Sequence, residues 1–544
     1  MQNNAKYGIL SHMMNPILST IRSMIRPFVL LLLTFFTFAP LCATTPSPSK
    51  LKTLYNSLEP RSVSQHLAFY DLYPDTPEGK QALQLAWMLL AGKESQNTQH
   101  LSSDPFLSYA IEAIVALVNK QPDESIPELQ ENELQIIEKL AQRLPNRKLK
   151  GYGARSEAEV LALAPSEIDL ARGLFLTQMG EQNIRKIRIY EAQIDLMALQ
   201  ILAQLPPNPS PANIIRTMND FIFGEMGFRF PPHSIYAKEI DLYTFLPSVL
   251  DSRRGVCLGV SILYICLAQR LNLQLEMITP PGHIYVRYRS NSNQTNQENN
   301  QEINIETTAR GVHIPSEQYL NIDTRSLQQR NIKEVIGLAH FNQASVYWTK
   351  NKYEEARSSY EKALPYLPGD KQLMELMAYT YILTGAEEEG FNLLKQVKDY
   401  VPEHAVTGNT MAEDLLIGAA DAEGIKAIFT DTEEDRQSIL KKQAVLEKVL
   451  ERCPKFRAGW CSAAITWLQL HRYGEALEIL KHYHQLDPED PTTEYYLTML
   501  YAERHDYNRA WEHFRIMEKI LDKRNHHPKL LKELRRELAS LSPE

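Results

Sequence analysis

Three residues whose side chains could form a nucleophilic site lie between positions 257 and 306. Cys257 follows Gly255 and Val256, His283 follows a Pro-Gly pair, and Glu306 ends the run Ile-Asn-Ile-Glu. A thiol becomes a strong nucleophile when an imidazole takes its proton, and a carboxylate can orient that imidazole. The three residues therefore predict a catalytic triad with Cys257 as nucleophile, His283 as base and acid, and Glu306 as the orienting group.

The element that must position the thiol is the segment 257–270, which is apolar on almost every side. This pattern predicts a buried helix that begins at Cys257, with Gly255 allowing a sharp turn into it. The free N–H groups and the dipole at a helix start favour a thiolate. We expect Arg253 and Arg254 to add positive charge nearby.

The elements that must position the other two residues are strands. Apolar and polar residues alternate over 284–289 and again over 303–306, with the polar tract 290–300 between them. This alternation predicts an antiparallel hairpin. If the strands pair about the centre of that tract, His283 lies directly opposite Glu306, and partners across a ribbon are about 5 Å apart at Cβ.

Several motifs around these residues resemble those of the transglutaminase-like superfamily, in particular its SirB1-type bacterial branch, over roughly residues 212–322. The motifs are residues 221–228, 245–250, 253–271, 281–283 and 304–308. The resemblance implies a papain-like arrangement, with a Cys on a helix packed against a sheet that carries His and an acid. The usual acid of the superfamily is Asp, and here it is Glu306. Many SirB1-type relatives lack the Cys, whereas this chain has Cys257.

The C-terminal third contains internal repeats with a period of about 34 residues. Small residues, aromatic residues and prolines recur in four units, at Ala344, Tyr347, Tyr353, Ala356, Tyr360, Ala363 and Pro368; Ala378, Tyr381, Gly385, Gly390, Leu394 and Pro402; Trp460, Ala464, Trp467, Tyr473, Ala476, Leu480 and Pro488; and Thr498, Tyr501, Tyr507, Ala510 and Phe514. The pattern resembles a tetratricopeptide (TPR) solenoid, which implies a groove that binds a protein or peptide. The alternative is an array that only packs against the catalytic domain.

Composition restricts the class of protein. The chain has 544 residues, of which 44% are apolar and 23% charged, so it is globular with several domains. The net charge is −8 and no basic patch occurs, which argues against a nucleic-acid partner. No Cys/His spacing suggests a metal site, and we expect no cofactor. Cys453 and Cys461 could form a disulfide or remain core thiols, and Cys266 is expected to be a core thiol.

The first stretch of the chain predicts export. Lys6, Arg22 and Arg26 precede the apolar run 28–38, and small residues follow. This is the pattern of a secretory signal peptide cleaved after Ala43, because the run is shorter than the ~20 residues of a membrane span. We therefore expect a periplasmic or secreted bacterial protein without a span in its mature form. A lipoprotein modified at Cys42 and an uncleaved anchor are alternatives.

Together these patterns predict a mostly helical α+β chain. Helices are expected at 67–72, 78–90, 105–118, 133–144, 166–179 and 187–205, before a proline-rich break at 206–211. The predicted regions are a signal peptide (1–43), a helical N-terminal region (44–211), a transglutaminase-like domain (212–330), TPR units (337–402), a degenerate repeat region (403–456), further TPR units (457–524) and a C-terminal helix (525–544).

Two functions are consistent with this organisation. The first is an exported thiol enzyme that acts on amide or peptide bonds, as hydrolase or acyl transferase, with a TPR array that binds a protein or peptide partner. The second is a catalytically inactive transglutaminase-like scaffold that functions by binding alone. Calcium-dependent crosslinking is not indicated, because no Asp/Asn-rich calcium loop occurs. The sequence does not identify the substrate, the TPR ligand or the oligomeric state.

Overall fold

The computed structural model describes residues 46–92, 105–231, 244–280, 282–290, 302–319, 327–401, 410–430, 432, 435–527 and 529–543. The predicted signal peptide, Pro281, Pro402 and most of the polar tract lie outside these residues. Helices dominate and one small antiparallel sheet is present, so the chain is α+β and mostly helical, as predicted. Over the residues described, no helix has both the length and the apolarity needed to cross a membrane.

The chain divides into two compact units, residues 1–119 and 120–544. The first contains α1 (Pro48–Asn56), α2 (Val63–Leu72), α3 (Pro77–Ala91) and α4 (Pro105–Val118). Leu51, Phe69 and Ala82 form a small core within it. The three helices predicted here are confirmed as α2, α3 and α4. The side chains of Ser62 and Thr76 cap the N-termini of α2 and α3, which fixes where those helices begin.

The second unit begins with five helices that precede the candidate site. They are α5 (Glu131–Ala141), α6 (Glu157–Ala162), α7 (Leu170–Met179), α8 (Ile184–Gln204) and α9 (Pro211–Asn219). The predicted helices at 133–144, 166–179 and 187–205 are confirmed with shifted ends. The helix α7 begins later than predicted because the Asp169 carboxylate accepts from the Arg172 N–H at 3.0 Å and caps the helix there. No helix crosses the proline-rich break.

The centre of this unit is a buried helix beside a four-stranded sheet. After α10 (Leu246–Ser252) comes α11 (Cys257–Arg270), with the predicted bounds and almost every residue buried. The strands are β1 (Glu276–Thr279), β2 (Tyr285–Arg289), β3 (Glu302–Ile305) and β4 (Gln328–Arg330), in the order β3-β2-β1-β4, all antiparallel. The predicted hairpin is the pair β2 and β3, and the other two strands, β1 and β4, were not predicted.

The register of the hairpin differs from the predicted one by two residues. Val286 pairs with Ile305, so one further step places Tyr285 opposite Glu306. The prediction that His283 lies directly opposite Glu306 is therefore wrong. The reason is that His283 precedes β2 in a turn, where its N–H donates to the Pro280 carbonyl at 3.1 Å. A shift of two residues keeps both side chains on the same face of the sheet, because side chains alternate with period two.

Buried ion pairs hold the far end of α11. The fully buried Arg270 donates from Nε to the Asp195 carboxylate on α8 at 2.6 Å, and Arg147 binds the other oxygen of the same carboxylate. On α7, Arg172 donates to both oxygens of Glu191 at 2.6 Å. Each buried charge thus faces an opposite one, as burial of charge requires. The helix that begins at Cys257 is therefore anchored to α8 at its C-terminal end.

The rest of the chain forms helical hairpins. They are α12 (Ile332–Thr349) with α13 (Tyr353–Ala363), α14 (Lys371–Leu383) with α15 (Glu387–Val397), α19 (Arg457–Gln469) with α20 (Tyr473–Leu486), and α21 (Pro491–Glu503) with α22 (Tyr507–Lys523), while α16 (Met411–Leu416), α17 (Ala422–Phe429) and α18 (Arg436–Arg452) lie between them and α23 (Lys529–Leu541) follows. Asn351, Gly385, His471 and His505 adopt left-handed backbone in the four hairpin turns. Their recurrence matches the period of the repeats.

The first repeat helix belongs to the body of the second unit. Strand β4 ends one residue before α12, and Asn331 between them caps that helix, accepting from the Glu334 N–H at 3.0 Å. A Cβ placed on Gly173 of α7 would lie 2.7 Å from Ile336 Cδ1 of α12, so the two helices are in close contact. The predicted start of the repeats at 337 falls inside α12, and the array is continuous with the sheet.

Candidate active site

The thiol of Cys257 lies at the start of α11. Cys257 is the first residue of that helix, and its N-cap, Val256, makes no side-chain capping bond. The Gly255 N–H donates to the Arg229 carbonyl at 3.1 Å, and a Cβ on Gly255 would lie 2.5 Å from Val260 Cγ2. Only glycine can lie this close to Val260, which explains why a glycine stands at position 255 before the helix. The N–H groups in the first turn of a helix have no partner within the helix. The Cys257 N–H can therefore donate to a developing oxyanion.

The two arginines expected to add positive charge near the thiol are engaged elsewhere. The Arg253 guanidinium donates to the backbone carbonyls of Met226, at 3.1 Å, and Lys120. Arg254 pairs with Asp123 at 3.4 Å. These contacts fasten the loop that leads into α11. The arginines therefore position Cys257 through the backbone. The positive charge beside the sulfur comes from the His283 imidazole instead.

The acid of the site is a buried carboxylate with several donors. Glu306 is 4% exposed and follows β3. Its Oε2 accepts from Tyr319 Oη at 2.8 Å and lies 2.6 Å from His283 Nε2, while its Oε1 accepts from the Thr308 N–H at 3.1 Å and hydroxyl at 2.5 Å. Burial favours the neutral acid, but these hydrogen bonds and the His283 charge outweigh it and lower the pKa of Glu306. Glu306 is therefore an anion.

The imidazole connects the acid and the thiol. His283 Nε2 lies 2.6 Å from Glu306 Oε2, and the Cys257 side chain is among the groups that raise the pKa of the imidazole. Burial opposes protonation of this ring, but the bonds to Cys257 and Glu306 and the Glu306 charge raise its pKa to about 10. His283 is therefore an imidazolium at neutral pH and supplies the positive charge beside the sulfur. The structure thus brings all three predicted residues together, although the strand register differs from the predicted one.

Two residues that contact the acid were not identified from the sequence. Thr308 lies within the motif around Glu306 and gave a local signal, because a hydroxyl two residues after an acid commonly folds back on it. Tyr319 gave none. Its ring stacks on Tyr285 with centroids 4.2 Å apart and lies parallel to the His283 ring at 6.0 Å. Only the fold of the segment after β3 brings it to the site.

The other thiols have different surroundings. Cys266 is fully buried, and burial raises its pKa, so it is an unreactive core thiol, as predicted. Cys453 and Cys461 are half-buried and are not joined by a disulfide in this structure. Within the ranges described above, no group of three or more His, Cys, Asp or Glu side chains is arranged to hold a metal ion. Among the thiols described, Cys257 is thus the one placed beside an imidazolium.

Comparison with known proteins gives a domain assignment. The family model described as "Transglutaminase-like superfamily" matches residues 188–337, beginning within α8. No curated protein matches the chain.

Solved structures similar to the chain are helical repeat proteins. MamA AMB-1 is 18% identical, with 35% of this chain and 93% of that chain covered and a TM-score of 0.18. TTC0263, a thermophilic TPR protein of Thermus thermophilus, is 17% identical, with 38% and 98% covered and a TM-score of 0.20. The TPR2AB domain of yeast Sti1 is 16% identical, with 38% and 83% covered and a TM-score of 0.19. From the matched family and the helical hairpins, the chain contains a transglutaminase-like domain at residues 188–337 followed by tetratricopeptide-type repeats.

Proposed function

We propose that this protein is a thiol-dependent enzyme that acts on amide or peptide bonds. The observation that carries the proposal is the position of His283, which lies 2.6 Å from the buried carboxylate of Glu306 and near enough to Cys257 for the thiol to raise the pKa of the imidazole. A protonated imidazole beside a sulfur at a helix start favours the thiolate, the form that attacks carbonyl carbon. A core cysteine without a function would not need a buried anion behind a neighbouring histidine.

The reaction would proceed in two halves. The Cys257 sulfur attacks the amide carbon and forms a C–S bond, and the carbonyl oxygen becomes an oxyanion near the Cys257 N–H. The C–N bond then breaks as His283 gives its proton to the leaving nitrogen, which produces a thioester and an amine. Water or a second amine attacks the thioester while His283 takes a proton from it. The C–S bond breaks, the thiolate is regenerated, and Glu306 stays ionised throughout.

The first test is alkylation of the intact chain with iodoacetamide near neutral pH, followed by peptide mass spectrometry. Cys453 and Cys461 are more exposed than Cys257 and serve as internal references. We expect Cys257 to react faster than both, and His283→Ala to slow it by about tenfold or more, because the imidazolium that stabilises the thiolate is lost. A Cys257 rate at or below the reference rates, unchanged in His283→Ala, would contradict the proposal. Cleavage of a peptide library by the wild type and not by Cys257→Ala would then identify substrates.

A second function is favoured by one observation, the near-complete burial of the nucleophile. Cys257 is 6% exposed, which is also what an inert core thiol shows. The alternative is a catalytically inactive scaffold that acts through its repeats. It predicts slow alkylation of Cys257 and no turnover of any library peptide, together with a partner whose binding is unchanged in Cys257→Ala.

We further propose that the repeat array binds a protein or peptide segment, since stacked hairpins leave one broad face for a partner. Because α12 packs on α7, this is tested on the full chain. Crosslinking to a partner that maps to α12, α14, α19 and α21 would support binding, while crosslinks confined to residues 188–337 would contradict it. The export predicted from residues 1–43 and membership of the SirB1-type branch also remain proposals. Fractionation and N-terminal sequencing test the first, with a mature start at Thr44 expected.

A further inference from the structure

Tyr319 contacts the imidazole–carboxylate pair in two ways. Its hydroxyl donates to Glu306 Oε2 at 2.8 Å, the same oxygen that lies 2.6 Å from His283 Nε2. Its ring is parallel to that of His283, with 9° between the planes, and stacks on Tyr285. Burial and the Glu306 charge raise the pKa of the Tyr319 hydroxyl, so it keeps its proton and remains a donor.

The length of the Glu306 side chain explains why the contact from Tyr319 is needed. A glutamate has one more rotatable bond than an aspartate, so its carboxylate can take more positions relative to the backbone. Thr308 fixes Oε1 through its N–H and its hydroxyl, but Oε2, which faces the imidazole, has no backbone donor among the contacts described. The Tyr319 hydroxyl holds this second oxygen. A carboxylate fixed at both oxygens can hold the imidazole in one plane.

We propose that Tyr319 is a positioning residue, which acts through Glu306 to hold the His283 imidazole in the plane from which it serves Cys257. The proposal rests on the proposed function, because it assigns a task within that reaction. Tyr319 itself does not touch the reacting atoms. Its effect should therefore depend on the carboxylate of Glu306 and should disappear when that carboxylate is removed.

The test compares Tyr319→Phe with the wild type, using intact chain and the rate of Cys257 alkylation from pH 4 to pH 9. Phenylalanine keeps the stacking and removes only the hydroxyl. We expect about a tenfold slower reaction at neutral pH, the size expected for loss of a hydrogen bond to a charged group. Because the Tyr319 hydroxyl helps to lower the pKa of Glu306, the acidic limb of the profile should move to higher pH. Thermal denaturation checks that the fold is unchanged.

The controls separate positioning from a general structural effect. Tyr288→Phe removes a hydroxyl from the other face of β2 and should leave the rate and the profile unchanged. In a Glu306→Gln background, Tyr319→Phe should have little further effect, as expected for residues that act as a unit.

Failure of this inference can be distinguished from failure of the proposed function. If wild-type Cys257 reacts no faster than Cys453 and Cys461, the proposed function fails and this inference fails with it. If wild-type Cys257 is fast and Tyr319→Phe equals it in rate and profile, only the inference is overturned. A lower melting temperature with an unmoved acidic limb would also overturn it, in favour of a structural role.

Discussion

Replacing Glu306 with Gln should lower the pKa of the His283 imidazolium toward the physiological range. Gln keeps the shape of the side chain and removes its charge. Hydrogen bonds and the Glu306 charge hold the pKa of His283 at about 10 in spite of burial. A charge of opposite sign at this distance shifts a pKa by about 1–3 units, and each unit corresponds to about 1.4 kcal/mol. We therefore expect the pKa of His283 to fall by about 1–3 units in the variant.

The measurement is an NMR titration of the histidine ring protons of the full chain, with the His283 signal identified by its absence in His283→Gln. Glu302→Gln is the matched control, because Glu302 lies on β3, the strand that Glu306 follows, but binds Ser316 and Arg289. The control should leave the His283 midpoint unchanged. A midpoint that stays near 10 in Glu306→Gln, or that falls equally in Glu302→Gln, would refute the electrostatic account of the site.

Three further predictions concern stability, each measured by urea unfolding. His283 binds its proton more tightly in the folded chain, so the protonated ring stabilises the fold fully below pH 6.5, and this stabilisation is lost as the pH rises through about 10. The difference in the free energy of unfolding between wild type and His283→Gln should therefore shrink over that range from roughly 2 kcal/mol. Arg270→Met removes one of the two arginines that pair with the buried Asp195 carboxylate and should cost about 3–5 kcal/mol. The exposed Arg536→Met should cost less than about 0.5 kcal/mol. Gly255→Ala forces the start of α11 to move and should cost about 1–3 kcal/mol, whereas Gly474→Ala meets open space and should be neutral or slightly stabilising.

The buried pair at the end of α11 shows what local sequence patterns could not predict. Arg270 and Asp195 are 75 residues apart, and nothing in either neighbourhood identifies the other. The same holds for Tyr319, which reaches Glu306 only after the chain has turned beyond β3. The short strands β1 and β4 were also missed, because three or four residues carry too little alternation to be recognised.

The sequence by itself determined the features that depend on neighbouring residues: the start of α11 at Cys257, the hairpin strands, the repeat period and the three residue types of the triad. These follow from side-chain periodicity and turn chemistry, which are local. The tertiary structure decided the register of β2 against β3, the route of Tyr319 to the carboxylate, and the charge on His283. Register depends on how loops and packed faces fit together, and a pKa depends on burial and on charges that only the folded chain brings near.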